Sequence, residues 1–523
     1  MKKIYYNGNI LTLEENQKVE SIMIEDGIIT YVGDFDKIKK EDAKYIDLKG
    51  KTLMPSFIDP HSHIAAFTST LLIADLSGVK SYEELIERLK KYKEENNLEE
   101  GKWLIGFGYD HNELEEKRHP SKEILDKIST KIPIMITHKS GHMGVINSKG
   151  IEIAKIEEKV KDFKKGTYGI DEKGNLNGYL EEGSFIGILG NTNRFSIEDL
   201  EKAYKKAEEI YLSYGITTVQ DGLTKKDEFN LLKKLSSENK LRLDVVSYID
   251  IKDNSQILEE NRKYLEYQNK LKIGGYKLIL DGSPQGKTAW LSKPYENEEK
   301  YLGYPAYSDE EVEKFVKKAV DEKVQLLTHC NGDAASEQLI KSYEKLKEEN
   351  LYRPVMIHAQ TVRKDQIQKM KKISMIPSFF IAHIYHWGDI HIKNLGKRAQ
   401  NISPVKWAID ENIKYTFHQD TPVLLPNMWE TIWCACKRQT KNGVILGNQQ
   451  ISVIDAIKGV TKMAAYQYFE EDKKGTIAPG KNADFIIIEE NPLEIDIDKI
   501  KDIKILETIK NGETLYKRKE NKT

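Results

Sequence analysis

The stretch Leu53-Met-Pro-Ser-Phe-Ile-Asp-Pro-His-Ser-His63 decides the reading of this chain. An apolar run that reads as a buried strand leads into two histidines at spacing two. Side chains at i and i+2 of a strand point the same way, so His61 and His63 can reach one ion from one strand end. Imidazole is the commonest protein ligand for zinc and related metals. A chance pair of histidines beside a strand has the same spelling, and the rest of the chain must separate the two readings.

Working outward, β-rich apolar runs alternate with helical patterns. Strand candidates fall at 52–59, 215–221, 243–249, 275–281, 324–329, 354–358, 373–378 and 413–419. A helix starting at Ser196-Ile-Glu-Asp-Leu, with a serine N-cap and an aspartate three residues on, runs toward Gly215, and another spans Asp309 to Lys323. Strand and helix in alternation predict an α/β fold, and eight such units predict a (β/α)8 TIM barrel over 52–474. Roughly 140 residues separate the first strand from the second, too many for one crossover helix. They predict an inserted subdomain over 64–195, holding a helix capped by Ser81 with Glu84 and the strand-like run Ile132-Pro-Ile-Met-Ile136. Because the loop after strand one opens at the barrel mouth, the insertion is expected to act as a lid.

Residues 1–51 and 475–523 read differently. Ile4-Tyr-Tyr, Ser21-Ile-Met-Ile-Glu25, Ile28-Ile-Thr-Tyr-Val32 and Ala483-Asp-Phe-Ile-Ile-Ile488 are short strands broken by Asn-Gly, Asp-Gly and Lys-Gly turns. Each end is too small to fold alone, so together they predict a composite β-sandwich.

The chain has 523 residues, 39% hydrophobic, enough for a large core, and 81 basic against 83 acidic residues give a net charge of -2. That balance argues against a nucleic-acid or membrane-binding surface. The three cysteines, Cys330, Cys434 and Cys436, make no disulfide framework, and Cys434-Ala-Cys436 reads as ordinary buried thiols. The start Met1-Lys-Lys-Ile-Tyr lacks an apolar signal core, and no apolar run is long enough to span a bilayer. A cytoplasmic protein acting on a small molecule is expected.

In a barrel the chemistry sits at the C-terminal ends of the strands. Strand one ends at His61 and His63; strand four carries Lys277 inside an apolar run; strand five ends at His329, strand six at His358, and strand eight at Asp420. A cationic lysine facing a core is costly unless paired or chemically changed, although a packed stem with a snorkelling head would also explain it.

This ordered set resembles the amidohydrolase superfamily, and other segments sharpen the likeness to the amidohydrolase-3, or YtcJ-like, family. They are Gly106-Phe-Gly-Tyr-Asp110, Gly141-His-Met-Gly-Val-Ile-Asn147, Gly274-Gly-Tyr-Lys-Leu-Ile-Leu-Asp-Gly-Ser283, His329-Cys-Asn-Gly-Asp333, His418-Gln-Asp-Thr-Pro-Val423 and Gly475-Thr-Ile-Ala-Pro-Gly-Lys-Asn-Ala-Asp484. Pro377-Ser-Phe-Phe with Tyr385-His-Trp-Gly-Asp389 looks like the AepA-like, N-substituted formamide deformylase-like branch. The resemblance implies two divalent ions, zinc first, with iron, manganese or cobalt also suited to these ligands. His61, His63 and Asp420 would hold the more buried ion, His329 and His358 the second, and Lys277, N-carboxylated, would bridge them. Asp281, or Glu181 and Glu182, are other carboxylate sources.

Such a centre implies hydrolysis of a C–N bond, in an amide or N-substituted formamide, with Asp420 as proton shuttle. The same ligands would also serve a cyclic amide, carbamate or ester, and a catalytically idle regulatory or binding protein is the rival from another class. Deaminases of the superfamily place a glutamate shortly after the strand-five histidine. Here Glu337 comes late and only Asp333 is near. His138, His142 and Asn147, with Tyr109 and Asp110, are expected to wall the substrate site, opposite Phe380, His383, His386 and Trp387. His111, His119 and His391 read as solvent-exposed. A homodimer is expected by family analogy alone.

Overall fold

The computed structural model describes residues 1–15, 18–139, 143–160, 168–181, 185, 195–346 and 350–519. Its organisation turns on Ser56. Thr52–Pro55 and Phe57–Ile58, expected as parts of one strand, belong to two different sheets. At the switch the Ser56 backbone N–H donates to the Asp484 carbonyl, while Phe57 N–H donates to the Gly215 carbonyl. The Ser56 hydroxyl pairs with that of Thr217 at 2.6 Å. All six strand residues are buried, so nothing in their polarity marks the change of partner.

The first sheet joins the two ends of the chain. Its order is Glu513–Lys517, Ile505–Lys510, Phe485–Ile488, Thr52–Pro55, Lys2–Leu11, Lys18–Glu25 and Ile28–Gly33, with Lys44–Asp47 also pairing Lys2–Leu11. Asp26-Gly27 and Asn511-Gly512, all at positive φ, close its two tight hairpins, the conformation that two-residue turns require. Ile22, Ile24, Leu53, Phe485, Ile487 and Ile509 form its apolar face.

The second sheet is parallel throughout. Its strands are β1 (Phe57–Ile58), β2 (Ile216–Thr224), β3 (Asp244–Asp250), β4 (Leu271–Ile279), β5 (Gln325–Cys330), β6 (Val355–His358), β7 (Ile376–Phe379) and β8 (Thr416–Phe417), hydrogen-bonded in that order. Parallel neighbours need crossovers. Helices such as Lys226–Ser237, Asp309–Asp321 and Lys364–Lys372 supply them. Ser308 caps the second of these, accepting from Glu311 N–H while the Glu311 side chain returns to Ser308 N–H. The sheet curls, and the segments leaving its two edge strands meet: His63 N–H donates to the Thr421 carbonyl at 2.8 Å.

Where β3 and β4 begin, five buried charged side chains gather with the part-buried Lys272. Asp244 pairs with Lys474 at 2.5 Å and with Lys510 at 2.6 Å; Glu470 pairs with Lys474 at 2.7 Å and with Lys272; Lys510 lies 3.7 Å from Asp484. Burial alone would raise the Asp244 pKa, but the two lysines hold it well below the carboxylate range, and Lys474 and Lys272 bring Glu470 down to about 2 in the same way.

Residues 66–206 form a separate compact unit. Its sheet has the order Tyr168–Ile170, Leu176–Glu181, Met143–Ile146, Ile134–His138, Leu104–Tyr109, Ala74–Asp75, parallel in the last three strands and antiparallel elsewhere. Helix Tyr82–Glu95 is capped by Ser81, whose hydroxyl accepts from Glu84 N–H, and its Leu85 and Leu89 pack with Leu104, Ile134 and Ile136. Among the described residues, no helix is long and apolar enough to cross a membrane.

Candidate metal centre

The groups singled out at the strand ends converge. His61 and His63 follow β1 in a loop, and His63 makes a single bridge to Asp221 of β2. Asp420 Oδ1 lies 3.2 Å from Nε2 of both His61 and His63, and Oδ2 lies 3.9 Å from Nε2 of His358. Lys277 Nζ, buried on β4, stands 3.4 Å from His61 Nε2. His329 packs its ring edge-on against His358, centroids 4.5 Å apart. His358 and Asp420 take left-handed backbone at φ 74° and 55°, a region non-glycine residues occupy mainly where the surroundings enforce it.

Hydrogen bonds fix how the rings present themselves. The Gln220 amide nitrogen donates to the Pro60 carbonyl and to the Tyr468 hydroxyl, so its Oε1 faces His61 Nδ1 at 2.6 Å. His61 Nδ1 must then be the donor, and its Nε2 carries a lone pair. That lone pair and a carboxylate oxygen, both electron-rich, face one another across 3.2 Å. A cation between them turns the repulsion into two bonds. A tetrahedral ion with bonds of about 2.0–2.1 Å sets its donors about 3.3–3.4 Å apart, close to the separations seen here. The donor set of this cluster therefore fits a metal ion.

Protonation states agree with that use. Burial, with Lys277 nearby, pushes His61 down to about 3. Burial likewise holds His358 and His418 well below the usual imidazole value. Burial would raise Asp420, but His61 and His63 beside it bring it well below the carboxylate range. Neutral imidazoles and an ionised carboxylate are the forms metals bind. Burial also pushes Lys277 down to about 7, against the pull of Asp420. An amine that is neutral near pH 7 is a nucleophile.

His418 was not among the expected site residues. It is fully buried, its Nε2 lies 3.1 Å from His358 Nδ1, and its Nδ1 lies 2.9 Å from the Ser378 hydroxyl. It thus orients His358 from behind. The available signal was its spacing of two from Asp420, the same spacing that flagged His61 and His63. Asp281 acts as a strut: its carboxylate accepts from the N–H groups of Asn331, Gly332 and Trp290 and stands 3.3 Å from His329 Nδ1. Asp333 is taken up by Ser292 and Arg363, and Glu337 by Lys369, Arg363 and Gln366.

Beside the cluster, Phe380 lies 5.4 Å from the His418 ring and 4.7 Å from that of His383, which stands 4.4 Å from Trp387. Phe380, His383 and Trp387 make an aromatic wall. His386 turns to Glu430, 2.9 Å away. His391 is not exposed as expected: it is buried, and its Nε2 meets His383 Nδ1 at 2.9 Å. Both belong to the buried stripe of helix His383–Leu395.

The residues expected to wall the site from the insertion fare unevenly. Asn147 is structural: its Oδ1 accepts from Ile134 and Gly150 N–H, and its Nδ2 donates to the Ser129 and Ile132 carbonyls. With its hydrogen bonds filled, it has none to offer a substrate. Tyr109 is wholly buried in the unit's core, its hydroxyl on His119 Nδ1 at 2.9 Å. His111 and His119 are half-buried rather than exposed, because each stacks on the other, and they gather with Asp110 and buried His138. Glu181 accepts from the Tyr179 hydroxyl. His142 and Glu182 lie outside the described residues.

The Amidohydro_3 model, described as an amidohydrolase family, matches residues 44–516. The putative amidohydrolase YtcJ of Bacillus subtilis is 26% identical over 99% of this chain and 100% of its own. The N-substituted formamide deformylase of Arthrobacter pascens is 22% identical over 98% of each chain. Among solved structures, a metal-dependent hydrolase from Pyrococcus horikoshii superposes with a TM-score of 0.78 at 27% identity, covering 95% of this chain and 99% of that one.

Proposed function

For a chain that belongs to the amidohydrolase family, we propose a metal-dependent hydrolase that cleaves the carbon–nitrogen bond of a small amide or N-substituted formamide. The observation that carries this reading is Asp420 Oδ1, set 3.2 Å from two imidazole nitrogens of which at least one must be a lone-pair donor. His61, His63 and Asp420 would hold one divalent ion, and His329 and His358 a second. When bound, such ions supply Lewis acidity toward a carbonyl oxygen and toward a water.

The chain's own groups do the rest. Lys277, whose amine burial pushes down to about 7, could add to carbon dioxide with loss of a proton, and as the resulting carbamate it would be a further residue to hold the metal. Gln220 and His418 lock the rings of His61 and His358. Asp420 accepts a proton from the attacking water and delivers it to the leaving nitrogen, so a formamide and water give an amine and formic acid, which part as ammonium and formate. Phe380, His383 and Trp387 offer an aromatic face to the substituent, which suits an apolar or aromatic group on nitrogen. On this reading the curled parallel sheet is a (β/α)8 barrel with the centre at its C-terminal mouth.

Elemental analysis of the purified protein, then a hydrolysis screen across N-substituted formamides, N-acyl amino acids, cyclic amides, carbamates and esters, tests the proposal. Turnover is expected with the formamides or amides. Absence of turnover across the panel in fully metal-loaded protein would overturn it. Lys277→Ala is expected to lower the metal content by about one ion per chain, and unchanged stoichiometry would remove the bridging role.

A further inference from the structure

The inserted unit carries a second cluster of ligand-type side chains that the hydrolytic reading does not use. Leu104–Tyr109 and Ile134–His138 are parallel neighbours with Tyr109 in register with His138. Two C-terminal strand ends therefore bring Asp110, His111 and His138 to one spot. His138 Nε2 lies 3.3 Å from Asp110 Oδ1 and 3.4 Å from His111 Nδ1, and His111 Nδ1 lies 3.8 Å from the same Oδ1.

These separations are informative. Good hydrogen bonds between such groups run about 2.7–3.0 Å, and all three are longer. They match instead the edges of a coordination polyhedron. The circle through three points so spaced has a radius of about 2.0 Å, the length of a zinc–imidazole or zinc–carboxylate bond. Asp110 Oδ1 already accepts from Asn112 N–H at 2.9 Å and Asn112 Nδ2 at 3.2 Å, so it does not depend on the imidazoles for hydrogen bonds. Its Oδ2 takes the Lys139 ammonium, so Oδ1, held in place by Asn112, is the oxygen that faces the two imidazoles.

The surroundings brace this arrangement. His119 stacks on His111, centroids 4.0 Å apart, and is itself held by the Tyr109 hydroxyl. His138 is buried and edge-on to Tyr109 at 5.5 Å. We infer that Asp110, His111 and His138 form a second metal site, independent of the centre at Asp420, that takes a divalent transition ion of the zinc type with water completing the shell. Two nitrogens and one carboxylate oxygen are the donor chemistry of zinc, cobalt or iron rather than calcium or magnesium. Lys139 offsets the charge of Asp110, so this site holds its ion less tightly than the Asp420 centre. An ion here ties two strand ends to the loop carrying His111.

Cobalt titration of the full chain tests this in a His61→Ala/Asp420→Ala background, which disables the other centre and makes the result independent of the hydrolytic reading. The expected result is one further equivalent of Co2+, with the visible absorption of a low-coordinate nitrogen–oxygen site, and a higher Tm on loading. His111→Gln, at a half-exposed position that should fold normally by circular dichroism, is expected to abolish both the absorption and the rise in Tm. Asp110→Asn is expected to weaken binding at least tenfold. No saturable cobalt uptake in the background protein, or uptake that His111→Gln leaves unchanged, would overturn the inference.

Discussion

The two ends of the parallel sheet bury charge in opposite ways. Where β3 and β4 begin, three carboxylates (Asp244, Glu470, Asp484) meet three ammonium groups (Lys272, Lys474, Lys510) within salt-bridge distance. Where the strands end, one carboxylate, Asp420, faces three imidazoles, of which burial holds His61 and His358 neutral, and a lysine that burial drives toward neutrality. A buried charge is tolerated when it is paired. The first end satisfies itself and leaves nothing for a ligand. The second end has donors in excess of protons and cations, and is complete only with something added. The lysines make the contrast sharpest: Asp244 and Glu470 hold Lys474 charged beyond the usual lysine range despite its burial, whereas Lys277 falls to about 7. One is a strut; the other is available for chemistry.

The largest way to test this contrast is Asp420→Asn. It is expected to lower kcat/KM by about 10²–10⁴-fold with the circular dichroism spectrum unchanged; near-normal rates would show that the proton moves elsewhere. The matching change at the other end, Lys474→Met, is expected to leave metal content intact but cost about 1.5–3 kcal/mol in denaturant unfolding, because Asp244 and Glu470 each lose one of their two ammonium partners. A loss of metal instead of stability would erase the distinction between the ends.

Acid separates the ends more gently. Glu470, folded at about 2 against an ordinary 4.5, contributes stability that is complete above about pH 4.5 and is lost as pH falls toward 2, an effect of about 3 kcal/mol. Asp244 acts in the same direction. Metal-free protein should show this decline in its denaturant midpoint, and Lys474→Met should flatten it. The smallest expected effect is Ser378→Ala. It removes the partner of His418 and should weaken metal binding about tenfold in a competitive chelator titration, with no change in stability beyond about 1 kcal/mol.

Much of this was legible in the sequence, and the failures have physical causes. Alternating strands and helices announced the parallel sheet, and ionisable residues ending apolar runs announced the cluster, because burying such groups is costly without a purpose. The change of sheet at Ser56 was hidden, since both halves of 52–58 are equally buried. His391 read as exposed because a polar residue on a helix usually is; eight residues from His383, it lies on the same buried face, and its Nε2 pairs with His383 Nδ1 there. Asn147 read as a substrate contact because a motif carries it, but a loop and helix start need its amide. Tyr109 and His119 were separated by a stretch whose path no local pattern reveals. Family membership in the YtcJ-like amidohydrolases came from motifs spread along nearly the whole chain, and its match over 44–516 agrees.

The double allegiance of residues 52–58 also governs the order in which the molecule can be built. Leu53 is hydrogen-bonded in register with Ile487, which leaves the ribosome roughly 430 residues later, so this contact is among the most non-local a chain of this size can make. Until then Thr52–Pro55 has one exposed edge, a surface on which another chain can dock. The nascent protein must keep that edge guarded through most of its synthesis, and its yield in a cell should depend on whatever shields it.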